Sequence, residues 1–169
     1  MDHETAEAAP EPPQVALRPM TQAEFDRWQV ELADEYAAEQ VAAGIWPARG
    51  ALQRALAENA RLLPDGIDTA RMLLRTAVLP GGEPVGRAWI GLDHPRGTPE
   101  VAFLYDIEVV PEQRGRGIGR GVLRAVEDAV REAGLAALEL NVFARNSVAV
   151  ALYTSQGYEV VTQQLRRWL

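Results

Sequence analysis

One stretch limits what this chain can fold into more than any other: Val109 to Leu123, Val-Val-Pro-Glu-Gln-Arg-Gly-Arg-Gly-Ile-Gly-Arg-Gly-Val-Leu. Before it, Val101 to Val110 is β-branched and aromatic enough to be a strand, and Pro111 ends the strand by removing a ladder donor. After it, Ile118, Val122, Val126 and Val130, flanked by Leu123 and Ala129, recur at helical spacing and form one apolar face. Between the two, Gly115, Gly117, Gly119 and Gly121 alternate with Arg114, Arg116, Ile118 and Arg120. Glycine lets the backbone turn sharply and come close to a ligand. The first N–H groups of the following helix have no partner within the helix, and its dipole favours an anion there. Strand, glycine turn, helix and three arginines together predict a phosphate cradle.

Spacing narrows the kind of cradle. In a Gly-x-Gly-x-x-Gly dinucleotide fingerprint starting at Gly115 the last position falls on Arg120, and starting at Gly117 it falls on Val122. Neither register fits. A Walker loop needs lysine, and the chain has none.

Other absences remove further chemistries. With no cysteine there is no disulfide, thiolate nucleophile or cysteine metal site, and no metal centre is expected. With no lysine there is no Schiff base. Neither His3 nor His94 lies beside a candidate serine nucleophile. A net charge of −7 gives the surface as a whole nothing to draw in nucleic acid. No apolar run is long enough for a membrane span and no signal peptide is recognisable, so a cytoplasmic protein is expected.

Along the chain, residues 1–13 combine prolines with carboxylates and predict a disordered leader, with one domain over 14–169. Gln14 to Pro19 predicts a strand, and Thr21 with Glu24 a capping box opening a helix to about Ala43. A second helix is expected over Ala48 to Leu62, then a hairpin of Arg71–Val78 and Val85–Leu92 around Pro80-Gly-Gly-Glu83. After the loop helix come a strand over Ala136–Val142, a helix over Asn146–Ser155 and a last strand pair over Tyr158–Trp168. The order β-α-α-β-β-β-α-β-α-β-β predicts a single α+β domain. It would have a mixed, mostly antiparallel sheet of six to seven strands with helices on both faces.

Arg114-Gly-Arg-Gly117-Ile-Gly119 resembles the Arg/Gln-x-x-Gly-x-Gly/Ala signature of the GNAT superfamily of N-acetyltransferases. A second segment, Asn141 to Tyr158 with Asn146, Ala149, Leu152, Tyr153 and Gly157, is similar to the family's Asn-x-x-Ala-x-x-Leu-Tyr-x-x-x-Gly-Phe/Tyr pattern. The likeness covers about residues 85 to 160 well and the first half loosely. It implies acetyl-CoA as co-substrate, bound by Arg114, Gly115, Arg116, Gly117, Ile118, Gly119, Arg120 and Asn146, with pantetheine lying along Ile107, Glu108 and Val109. It implies direct attack by a primary amine of a small molecule or peptide.

For this chemistry an amine must lose a proton, an oxyanion must be stabilised and a thiolate must be neutralised. Tyr153 matches the family's general acid and a CoA-binding position, although alone it would read as a core aromatic. Asn146 also reads as the N-cap of its helix. Asp106 and Glu108 share one strand face and are the candidate bases, against the alternative of salt-bridged strand carboxylates. Glu35 and Glu39, at i and i+4, read first as a solvated acidic face and second as a selector of cationic amines. Asn141 stands where family members acting on protein N-termini tend to carry Glu, which argues against a ribosomal-protein substrate. A homodimer is the candidate assembly. The rival readings are a catalytically silent acyl-CoA or nucleotide sensor and an acidic scaffold whose loop merely holds an anion.

Overall fold

The computed structural model describes residues 13–167 and 169. Residues 1–12 of the predicted leader lie outside them. Strand β1 (Ala16–Pro19) runs into helix α1 (Gln22–Ala42) through the expected capping box. Thr21 Oγ1 accepts the Glu24 amide at 3.3 Å and Glu24 Oε2 accepts the Thr21 amide at 2.8 Å. Arg18 grips the same carboxylate through both nitrogens, at 2.7 and 2.8 Å, and chiefly by this holds the Glu24 carboxyl down at about 2. Helix α2 (Ala51–Leu62) packs back on α1 through Ala33, Ala37, Ala51 and Ala55, whose small side chains let the helices approach.

Strands β2 (Met72–Val78), β3 (Pro84–Gly91), β4 (Val101–Val109) and β5 (Ala137–Leu140) complete one sheet in the order β1-β2-β3-β4-β5. All pairings are antiparallel except β4 with β5. Helices α3 (Ile118–Glu132) and α4 (Ser147–Ser155) cover one face, α1 and α2 the other. On the α3 side Val85, Ile90, Val122, Leu123 and Val126 are fully buried, each contributing about 1.5–3 kcal/mol. On the α1 side Phe25, Trp28, Leu74 and Trp89 form a second core, with Trp28 edge-on to Trp89. No helix among the described residues is long and apolar enough to cross a membrane.

The α+β class, the mixed sheet and the helices on both faces are as expected, but the sheet has five strands, not six to seven. The missing pair is the one expected over Tyr158–Trp168: residues 158–167 form no strand, and Trp168 lies outside the described residues. Glu159-Val-Val-Thr-Gln-Gln-Leu-Arg-Arg-Trp-Leu169 contains no Gly, Pro, Asn or Asp to turn a hairpin.

Candidate active site

Two irregularities of β4 build the site. On its β3 side the register slips between Trp89↔Asp106 and Ile90↔Leu104, leaving Tyr105 as an extra residue. Ala102 and Leu104 join the core under α3. Across the bulge Tyr105 stacks on Trp89 under α1, and Asp106 reaches Trp28 of α1 on that same side. A bulge re-aims the side chains beyond it. Here it keeps Asp106 out of the apolar core and leaves Ile107 and Val109 packed against it instead. On its other side β4 pairs with β5 only from Val101↔Ala137 to Leu104↔Leu140. The strand then continues five residues to Val109 with that edge unpaired among the described residues, long enough to pair with an extended ligand as an added strand would.

Val109 leads through a short turn at Pro111–Gln113 into the glycine loop. Gly115 and Gly117 take φ of +74° and +78°, the left-handed conformation that glycine adopts at little cost. The helix α3 has no side-chain cap, and among the described residues the amides of Gly115, Arg116, Gly117, Ile118 and Gly119 meet no acceptor. Five consecutive unpartnered N–H groups at a helix N-terminus form a nest for an anion. What the glycines provide differs in detail from the sequence expectation. A Cβ on Gly117 would sit 3.2 Å from Cδ of Pro13, and one on Gly119 would sit 3.4 Å from Leu152, so both point into protein rather than toward a ligand. Gly117 is needed for its φ, which turns the amides outward.

The arginines divide. Arg114 turns back onto β4, with Nε donating to the Val109 carbonyl at 2.9 Å and Nη2 pairing with Glu108 at 2.9 Å. Among the described residues Arg116 hydrogen-bonds only Gln113, at 3.4 Å, and Arg120 is exposed, so these two are the cations at the nest. Ile118 is buried and offers only its amide. Asn146 caps α4, its Oδ1 accepting the Ala149 amide at 3.2 Å.

The residue that sequence reasoning missed is Arg87, in the middle of β3. Its guanidinium donates through Nε to Asp106 at 2.9 Å, through Nη2 to Glu35 at 2.7 Å and through Nη1 to Glu31 at 3.2 Å, and it also pairs with Glu108. Only 15% of the side chain is exposed. Burial works against its charge, but the carboxylates of Asp106, Glu108 and Glu35 outweigh it and hold the pKa above the ordinary arginine value. A charge amid the apolar residues of Val85-Gly-Arg-Ala-Trp-Ile was the available signal.

Asp106 is 13% exposed, and its Oδ2 also accepts Trp28 Nε1–H at 2.9 Å. Both oxygens of Glu108 are held by arginines, whereas Asp106 Oδ1 has no partner among the described residues. Glu35 and Glu39 are both exposed on α1, and partial desolvation raises the pKa of both, against the opposing pull of Arg87 on Glu35 and of Arg145 on Glu39. Tyr153 lies on α4 in the core under α3, and its hydroxyl makes no hydrogen bond among the described residues. Burial first, and the Asp106 charge second, push its pKa up to about 12.

A sheet that opens along β4, next to a nest of free amides and a buried phenol, is the framework of an acyltransferase of the N-acetyltransferase type. The acetyltransferase (GNAT) family model matches residues 46–158. The chain is 28% identical to the N-acetyltransferase YdgE of Bacillus subtilis (strain 168), over 90% of this chain and 97% of that one. It is 32% identical to YycN of the same organism, over 86% and 92%. The crystal structure of YycN superimposes with a TM-score of 0.86, covering 92% of this chain and 99% of that one at 30% identity. A mycothiol acetyltransferase of Sanguibacter keddieii is 32% identical over 94% of this chain, which spans 48% of that protein. The chain therefore belongs to the GNAT acetyltransferase family.

Proposed function

We propose that the protein transfers an acetyl group from acetyl-CoA to a primary amine of a small molecule or peptide by direct attack within a ternary complex. The observation that carries this is the open edge of β4 running straight into the nest of amides at Gly115–Gly119. A ligand with an amide-rich tail and a diphosphate spans the two. The tail pairs with Ile107–Val109, and the phosphates meet the amides with Arg116 and Arg120 beside them. The relative named a mycothiol acetyltransferase supports a small-molecule acceptor.

The amine nitrogen attacks the thioester carbonyl carbon, the C–S bond breaks, and the thiolate takes the Tyr153 proton. The ammonium proton leaves through a water to Asp106, the strand carboxylate with an oxygen to spare. With its pKa near 12, the Tyr153 phenol is protonated at neutral pH, as a general acid must be. The acidic residues of α1 favour a cationic acceptor.

Tyr153→Phe tests the assignment. It removes one hydroxyl and keeps the packed ring, so kcat should fall by about a hundredfold with the Kd for acetyl-CoA unchanged. Thiol release with an amine panel measures the first and calorimetry the second. An unchanged kcat, with chemistry shown to be rate-limiting, would make Tyr153 a core aromatic only. Tight CoA binding with no turnover on any amine would favour the silent sensor.

A further inference from the structure

Strand β2 alternates between the two cores. Leu73 and Ala77 pack on the α3 side and Leu74 on the α1 side, so Arg75 falls on the α3 side between two apolar neighbours. The flank of α3 that faces β1 and β2 does not close onto the sheet there. A groove of about 870 Å³ runs between them, with Leu17, Leu73, Ala125 and Ala129 among its walls. Arg75 lines this groove and is half-buried. Its Nη1 donates to the Leu74 carbonyl at 3.3 Å, and among the described residues the guanidinium meets no carboxylate. Burial therefore pushes its pKa below the ordinary arginine value with nothing to oppose it. Arg87 is the contrast, since it is more deeply buried and yet held up by its carboxylates.

A cation drawn out of water without a counter-charge is a cost to the fold. The surrounding charges do not remove that cost. Arg124, on the α3 wall, is exposed and has no hydrogen bond or ion pair among the described residues. Asp128 is taken by Arg131 at 2.6 Å. Two free arginines thus face Glu132, so the groove carries a positive excess on a chain of net charge −7.

We propose that this groove is a second binding site, for an organic monoanion with an apolar body, the chemistry of an aliphatic or aromatic acid. The anionic head meets Arg75, with Arg124 at the rim, and the body lies on Leu17, Leu73, Ala125 and Ala129. The volume is that of a small-molecule site, and a charge-assisted bond to the head supplies the counter-charge that Arg75 lacks. The site is separate from the nest and the open edge of β4, because β1 and β2 stand at one end of the sheet order and β4 and β5 at the other.

Two probes test this on the full chain by fluorescence titration. Anilinonaphthalene sulfonate carries an anion on an aromatic body, and N-phenylnaphthylamine is a similar body without the charge. The sulfonate should bind more tightly than the neutral probe, and an excess of CoA, which would fill the nest, should not displace it. Arg75→Met keeps the apolar stem and should weaken the sulfonate by about tenfold or more while leaving the neutral probe unchanged. Arg75→Lys should fall between parent and Arg75→Met, which separates a lost charge from a lost fold. Without ligand, Arg75→Met should unfold at no lower urea concentration than the parent, because no native ion pair is removed. Equal affinity for the two probes, displacement of the sulfonate by CoA, or parent-like sulfonate binding by Arg75→Met would each overturn the proposal. So would a clear loss of urea stability in Arg75→Met, which would show that the guanidinium already has its counter-charge within the chain.

Discussion

Replacing Arg87 by Met keeps the length of the side chain and removes the one cation shared by Asp106, Glu108, Glu35 and Glu31. The two pairs with Glu31 and Glu35 involve carboxylates that are 59% and 54% exposed, so each adds at most about 1 kcal/mol. The pair with Asp106 is different, because both side chains are at most 15% exposed. Breaking a buried pair from one side costs roughly 3–5 kcal/mol. The Trp28 donor that remains on Asp106 holds the loss toward the lower end, about 3 kcal/mol. For a chain of this length that is a fall in Tm of roughly 6–12 °C. Urea unfolding of parent and variant at neutral pH should show this gap. A gap under about 1 kcal/mol would refute the idea that Arg87 holds the β4 carboxylates together.

Three further outcomes are expected. Gly86 lies opposite Val109, and a Cβ there would collide with the Glu108 carbonyl oxygen; Gly86→Ala should cost about 1–3 kcal/mol in urea unfolding and weaken CoA binding by displacing the open half of β4. Glu24→Ala should cost about 1 kcal/mol by removing the capping box. Because the folded-state pKa of Glu24 is lowered from 4.5 to about 2, its contribution is present above 4.5 and lost as pH falls through about 2. Its cost should therefore be flat near neutrality and shrink in acid, and a cost that grows on acidification would contradict the assignment. Finally, the Asn59 amide nitrogen is buried without a partner among the described residues, so Asn59→Leu should raise stability by about 1 kcal/mol in the same urea assay.

Much of this could be read along the chain, because it is encoded within short spans. The capping box, the glycine loop feeding α3 and the Asn146 cap on α4 are each made by residues a few positions apart, where backbone conformation and side-chain chemistry act directly. The two motifs that mark the family fall in those same spans. That Asp106 and Glu108 share a face also followed from strand alternation. Which face they share did not, since the extra residue at Tyr105 is a matter of pairing with β3. Arg87 reaches carboxylates 52 and 56 residues away on α1, and only the packing of α1 across the sheet brings them within bonding distance. The sequence placed Arg114 with the phosphate-binding arginines, whereas in the fold Glu108 and the Val109 carbonyl hold it. Composition made Tyr158–Trp168 look like a strand pair, and its apolar residues are as strand-like as any. Whether such a segment pairs depends on an edge being within its reach and on a turn to bring it there, and that is set by tertiary geometry rather than by the residues of the segment.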